Sequence, residues 1–245
     1  LARASRLRDG LAALLIPSQE KGEVKVMPPQ STAAMAPSPD VRYPMPAHKR
    51  VVLLKSVLSG PNVSAGDYSY YDDPDEPERF QERNVLYHYE SNGDRLDIGR
   101  YCAFAAGATF IMGGANHRMD GPSTFPFPIM GGAWAAHMDL LSGLPMRGDT
   151  VVGSDVWLGY RTLVMPGVKI GHGAVAAAGS VIADDVPPYA IVGGAPARIL
   201  KMRFDARTIE RLLALAWWSR SAEWVTANVR ALMAGDVAAL EAAAP

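Results

Sequence analysis

The sequence predicts a mainly β solenoid, a parallel β-helix of short strands, and two observations carry that prediction. From Thr150 the residues Val152, Leu158, Val164, Ile170, Ala176 and Ile182 fall six apart, with Gly153, Gly159 and Gly171 directly after three of them. Four residues after each apolar position comes a small or β-branched side chain: Val156, Thr162, Val168, Ala174, Ser180 and Val186. The same beat shows earlier at Ile98, Phe104 and Phe110, and 98 and 152 differ by nine units of six, so it stays in phase across a break. Neither an α-helix nor an alternating strand has this period. A repeat of six suits flat faces one short strand wide, joined by tight corners, with three units to a triangular coil. Residues 152–187 then make two coils, the apolar member pointing inward and the glycine relieving crowding at a corner.

Each segment has its own reason. Residues 1–50 form an N-terminal extension, with a possible short helix at Arg6–Leu15 and an irregular arm rich in Pro, Ala and Ser between Pro28 and Pro46. Residues 51–203 form the β-helix. Val51–Leu54 and Val57–Leu58 precede a Gly60-Pro61-Asn62 turn, and the clear beat starts at Ile98, with Cys102 and Ala108 in the small positions. It stops at Gly113 and resumes near Thr150, and the loop 113–149 between them carries two Gly-Gly pairs, Pro122, Pro126, Pro128 and Pro145. Loops of that length without regular structure are seldom kept unless they have a function. A solenoid tolerates one, because each coil touches only its neighbours. Residues 204–245 form a C-terminal helical cap. Asp205 is placed to cap a helix with an apolar stripe of Ile209, Leu212, Leu213 and Ala216. Trp217, Trp218 and Trp224 form a bulky plug, and Ala222–Leu232 reads as a second helix.

Bulk properties narrow the function. A formal net charge of -1 gives no electrostatic case for nucleic acid or an anionic membrane. No stretch approaches about 18 consecutive apolar residues, as a membrane-spanning helix requires. The start of the chain is too short and irregular in its apolar run for a signal peptide, so a cytoplasmic location is expected. Cys102 is the only cysteine, which excludes an intrachain disulfide and argues against a cysteine zinc site. There is no G-x-S-x-G elbow, phosphate-binding loop or dinucleotide fingerprint.

The runs Ile98–Gly121, Gly148–Gly159, Met165–Gly171 and Pro188–Ala197 resemble the hexapeptide-repeat xenobiotic acetyltransferases, as do Gly66–Tyr71, Leu86–Tyr89 and Trp217-Trp218. The likeness spans about residues 52–220. Within the family the streptogramin A (virginiamycin) acetyltransferases are nearest, on Ala-Asn-His-Arg-Met-Asp-Gly and Tyr-His-Tyr. The type B chloramphenicol acetyltransferases share most of the scaffold motifs. The resemblance implies a left-handed β-helix, a homotrimer with active sites between subunits beneath the long loop, and acetyl transfer from acetyl-CoA to an antibiotic hydroxyl.

The family's catalytic histidine falls on His117. A neutral imidazole, ordinarily near pKa 6.5, can take a hydroxyl proton at neutral pH. It needs a carboxylate or a backbone carbonyl on its other nitrogen; the sequence does not say which, and Asp120 and Asp139 are the loop carboxylates to check. By resemblance the acceptor pocket draws on Tyr70, Tyr89, Leu144, Pro145, Met146 and Trp157, bordered by Pro61 and Asn62. His88 either lines that pocket, packs, or sits at the surface, and His172 occupies a solvated corner. Trp157 follows an inward position and so points outward, toward the acceptor or the pantetheine arm. Small residues at Gly159, Ala177, Ala178 and Gly179 would let pantetheine approach the backbone. The Gly194–Ala197 turn, with Ala195, and the nearby Lys201 would serve the nucleotide end. Cys102 sits at an interior position, so no covalent acetyl-enzyme is expected. No metal is implied: a carbonic anhydrase on the same kind of solenoid would need three zinc-ligating histidines, and the chain lacks the close pair. The alternatives are chloramphenicol or another small alcohol or sugar as acceptor, and a scaffold with no catalysis.

Overall fold

The computed structural model describes residues 35–144 and 146–244. The possible helix at Arg6–Leu15 and the acceptor residue Pro145 lie outside the described residues. Residues 39–203 form one compact unit, and the residues from Phe204 onward belong to another.

Residues 39–203 are a left-handed parallel β-helix, in line with the six-residue beat. The first coil holds β1 (Val51–Leu53), β2 (Val63–Ala65), β3 (Tyr70–Asp72), α1 (Phe80–Asn84) and β4 (Val85–Leu86). The second holds β5 (Leu96–Ile98), β6 (Ala103–Ala105) and β7 (Thr109–Ile111). After the long loop come β8 (Thr150–Val152), β9 (Trp157–Leu158) and β10 (Leu163–Val164), then β11 (Lys169–Ile170), β12 (Val175–Ala176) and β13 (Val181–Ile182). A hairpin of β14 (Ala190–Gly194) and β15 (Ala197–Met202) ends the unit.

The strands stack into three faces. Face 1 is β2-β5-β8-β11, face 2 contains β3-β6-β9-β12-β14, and face 3 is β4-β7-β10-β13. β1 and β15 extend face 2 antiparallel at its two edges, so the parallel ladder does not end on bare strands. Val152 pairs with Ile170, Leu158 with Ala176 and Val164 with Ile182, each one coil of three hexapeptides further on. Ile98 pairs with Val152 across the break. The ladder therefore closes beneath the long loop, which leaves from the corner between faces 3 and 1.

Both sets of repeat positions are buried, from Val152 to Ile182 and from Val156 to Val186, and all but the polar Thr162 and Ser180 belong to one apolar core cluster. Each additional coil buries its inner row against the last, which is how so short a strand becomes stable. The beat is hidden in the first coil. Tyr71 and Val85 lie fourteen residues apart yet pair with Phe104 and Phe110, which are six apart. The excess holds α1, whose Phe80 packs 4.8 Å from the Tyr71 ring, 6.2 Å from Phe104 and 6.4 Å from Phe110. His172 departs from its expected solvated setting. It is half-buried, and its Nδ1 accepts the Ser154 N–H at 2.8 Å, tying one corner to the corner below.

The C-terminal segment is helical, with α2 (Ala206–Leu215), α3 (Ala222–Ala234) and α4 (Val237–Ala242). Asp205 caps α2 by accepting the Thr208 N–H at 2.8 Å, as its position predicts. Leu212, Leu215 and Trp218 are buried, whereas Trp217 and Trp224 stay partly exposed. α4 was not legible in an Ala-rich stretch. It is started by the Asp236 cap and tied to α2 by the fork of Arg211 on Glu241, at 2.8 and 2.6 Å.

Candidate active site

The root of the long loop stays paired to the coil before it after the strands have ended. Met112 N–H donates to the Leu86 carbonyl at 2.9 Å and Gly114 N–H to the Tyr87 carbonyl at 3.0 Å. Between them the Asp94 carboxylate accepts the Gly113 N–H at 2.8 Å. Both glycines are closely covered, Gly113 by a flexible side chain and Gly114 by backbone as well. A Cβ on Gly113 would stand 2.3 Å from the Met146 methyl, and one on Gly114 would stand 2.5 Å from a Tyr89 ring carbon. Tyr89 and Met146, both predicted acceptor residues, are thus brought together at the segment that leads into Asn116 and His117.

His117 is exposed, and its Nδ1 lies 2.8 Å from the Thr124 carbonyl within the same loop. A carbonyl can only accept, so Nδ1 carries the proton and Nε2 presents its lone pair. That is the tautomer a general base needs. Of the two orienting groups open from sequence, carboxylate or carbonyl, the structure has the carbonyl. Asp120 is committed elsewhere: Arg118 grips it through Nε at 2.7 Å and Nη2 at 3.1 Å, which holds its carboxyl below the ordinary range.

The other predicted acceptor residues fall in two places. Leu144 lines an open hollow of about 400 Å³ with Arg118, Met119, Asp120 and Gly143, the first of which follows His117 in the chain. Pro61 and Asn62 flank the same corner. Their carbonyls accept from Arg95 Nη1 and Leu96 N–H, both at 2.8 Å, while Arg95 N–H holds Asp149 at the loop's far end. Tyr70 and Trp157, by contrast, sit on face 2. Tyr70 pairs with Ala103, Ala103 with Trp157, and Trp157 with Val175, so they share one outward row. Trp157 is 41% exposed, as its place in the repeat requires. Within one chain the third face separates this row from His117.

The residues assigned to the cofactor lie with face 2. Ala177, Ala178 and Gly179 form its corner with face 3, and nothing stands within 4 Å of a Cβ built on Gly179, which has φ +70°. Ala178 and Gly179 are exposed, as are Ala195 and Lys201 on the terminal hairpin. Gly159 needs a different account. It is buried, and a Cβ there would meet the Ala178 nitrogen at 2.7 Å, so the next coil's backbone requires this glycine and no ligand need be invoked. Cys102 is fully buried, its thiol pushed up to about 12 by burial. Among the described residues no group of three His, Cys, Asp or Glu side chains is gathered as a metal site would need.

Sequence reasoning missed three contributors. Thr124 acts through a carbonyl, which no residue type announces. Arg95 and Asp94 look like any polar pair before a strand, and only the fold puts them between the two ends of the loop.

No family model matches the chain. Among curated proteins it is 48% identical over 161 residues to a probable macrolide acetyltransferase of Lysinibacillus sphaericus, covering 66% of this chain and 89% of that one. It is 43% identical over 205 residues to the virginiamycin A acetyltransferase of Staphylococcus aureus, covering 84% and 92%. A chloramphenicol acetyltransferase of Klebsiella aerogenes is 40% identical over 190 residues, covering 77% and 90%.

Proposed function

The chain belongs to the hexapeptide-repeat xenobiotic acetyltransferases, and on that premise we propose that it acetylates a hydroxyl of a streptogramin A antibiotic, giving resistance, with His117 as general base. It is an acetyl-CoA-dependent acyltransferase, and acetyl-CoA is its co-substrate. The observation that carries the mechanism is the 2.8 Å bond from His117 Nδ1 to the Thr124 carbonyl. With that proton held, Nε2 takes the acceptor hydroxyl's proton as its oxygen attacks the thioester carbon. The same proton is then available to the departing thiolate. No enzyme nucleophile intervenes, and the buried Cys102 supports that.

The site is shared between subunits of a homotrimer in this reading. His117, Tyr89, Met146 and Leu144 occupy one corner, whereas Tyr70, Trp157 and the strip at Ala177–Gly179 occupy another. A single convex prism cannot bring them to one bond. The loop also exposes Phe125, Ile129, Met130, Trp134, Met138 and Leu140, large apolar side chains of the kind that mark an interaction surface. A neighbour's face would cover it. No helix among the described residues is long and apolar enough to cross a membrane, and we place the enzyme in the cytoplasm, where acetyl-CoA is made.

The streptogramin reading is supported by the greater share of chain matched to the virginiamycin A enzyme and by the open hollow near His117, where Met119 and Leu144 offer apolar surface beside Arg118 and Asp120. A smaller alcohol such as chloramphenicol is the second reading, on the strength of the relatives that carry that name. The test is free coenzyme A release by wild-type, His117→Ala and His117→Asn protein, with a streptogramin A antibiotic and, separately, with chloramphenicol. We expect the streptogramin to be the better acceptor and both variants to fall by about 10²–10⁴-fold. Transfer to chloramphenicol alone would displace the first reading. Light scattering on the same samples reads the assembly, and an active monomer would remove the shared site.

A further inference from the structure

We propose that Asp94 is a positioning residue for acetyl transfer, holding His117 in place from the coil beneath it. The inference rests on the reading of His117 as the base. Asp94 is only 4% exposed, and it reaches the loop through one contact, the 2.8 Å bond from Gly113 N–H to Oδ2. Its other oxygen, Oδ1, is buried with no hydrogen-bond partner among the described residues. A carboxylate kept in that condition costs stability, and apolar side chains of similar size would fill the space without the cost. What it gains is control of the loop.

Three connections give that control its geometry. Gly113 starts the 3₁₀ turn Gly113–Ala115, and its carbonyl accepts the Asn116 N–H at 3.2 Å, so the position of Gly113 passes to the residue before His117. Arg95, the next residue, holds the loop's other end, its N–H donating to Asp149 Oδ1 at 2.9 Å and its carbonyl accepting the Thr150 N–H at 2.8 Å. Asp94 is itself fixed: its backbone carbonyl lies 3.0 Å from His88 Nε2, which must donate, since a carbonyl cannot. One dipeptide thus sets the separation of the two ends of the loop, with His88 as its brace. The middle histidine of Tyr87-His88-Tyr89 thereby gains a role without lining the acceptor pocket.

The role differs from general stabilisation in what it should move. Asp94→Leu keeps the branching and the number of heavy atoms, in a somewhat larger side chain, and loses the acceptor. A displacement of His117 near 1 Å lowers turnover by on the order of 10–10²-fold. The KM for acetyl-CoA should stay within about twofold, because Trp157 and the Ala177–Gly179 strip are untouched. Asp94→Asn retains an oxygen for Gly113 N–H and should recover most of the rate. The decisive measurement is a double-mutant cycle: added to His117→Ala, Asp94→Leu should cost nothing more, since it acts only through the base.

If Asp94→Leu fails to fold, Asp94→Ala carries the same cycle. Wild-type turnover in a folded Asp94→Leu or Asp94→Ala protein overturns the proposal. So does a full loss on the His117→Ala background, or failure of Asn to recover activity. Failure of the premise looks different: His117→Ala alone would then keep the wild-type rate.

Discussion

Gly114→Ala is a one-carbon change whose effect follows from the close approach at the loop's root. The added Cβ would stand 2.4 Å from the Tyr87 carbonyl oxygen and 2.5 and 2.6 Å from two Tyr89 ring carbons. Ordinary contact needs about 3.5 Å, so the neighbours must yield by about 1 Å. The ring can turn aside, but the oxygen belongs to the backbone and already accepts the Gly114 N–H at 3.0 Å. Moving it that far ends the hydrogen bond, worth about 1 kcal/mol, on top of about 1–3 kcal/mol for overpacking. The strain falls on a loop rather than on the coil column, so it should appear mainly as displacement of Tyr89 and His117. Displacement of that size lowers kcat/KM by about 10²-fold, with the melting temperature little changed. Gly121→Ala is the matched control, since the nearest atom to its Cβ is 3.9 Å away. The assay is coenzyme A release against acceptor concentration for both variants. Equal kinetics in the two would refute the placement of Tyr89 over the segment that leads to His117.

Two further outcomes follow from buried groups. His172 has its pKa lowered by burial, and its Nδ1 must stay unprotonated to accept the Ser154 N–H. The folded state therefore binds fewer protons than the unfolded one below about pH 6.5, so this contribution is present above that pH and lost as pH falls through the lowered folded value. Melting temperature measured across that window should decline less in His172→Ala than in wild type, and parallel curves would contradict the assignment. Cys102, buried with its thiol pushed up to about 12, should resist thiol reagents in the native protein and react on unfolding. Cys102→Ser should keep acetyl transfer, and its loss in a folded variant would reopen a covalent mechanism.

Much of the fold was written in periodicity because a solenoid is nearly one-dimensional. Each hexapeptide faces the same environment as those six and eighteen residues away, so Val152, Leu158 and Val164 had to look alike, and the register of Ile98 on Val152 could be counted without coordinates. The exceptions are local insertions. α1 interrupts the first coil and hides its beat, although Pro77, which opens the 3₁₀ turn before it, and Phe80 in the core cluster carry a readable helix signal. His117 was legible through its motif at the break, and Trp157 through its place beside an inward residue. Other contributors were not. The Thr124 carbonyl and the Asp94 carboxylate act on groups seven and nineteen residues away, through contacts that no spacing encodes. Gly159 shows the reverse: its smallness invited a ligand, and the backbone of the next coil explains it. The sequence by itself determined the coil, its length and the place where it opens, because those depend on repeated burial. Only the tertiary structure decided which group His117 bonds to and that Tyr70 and Trp157 lie on another face of the prism, because those depend on which corners the chain brings together.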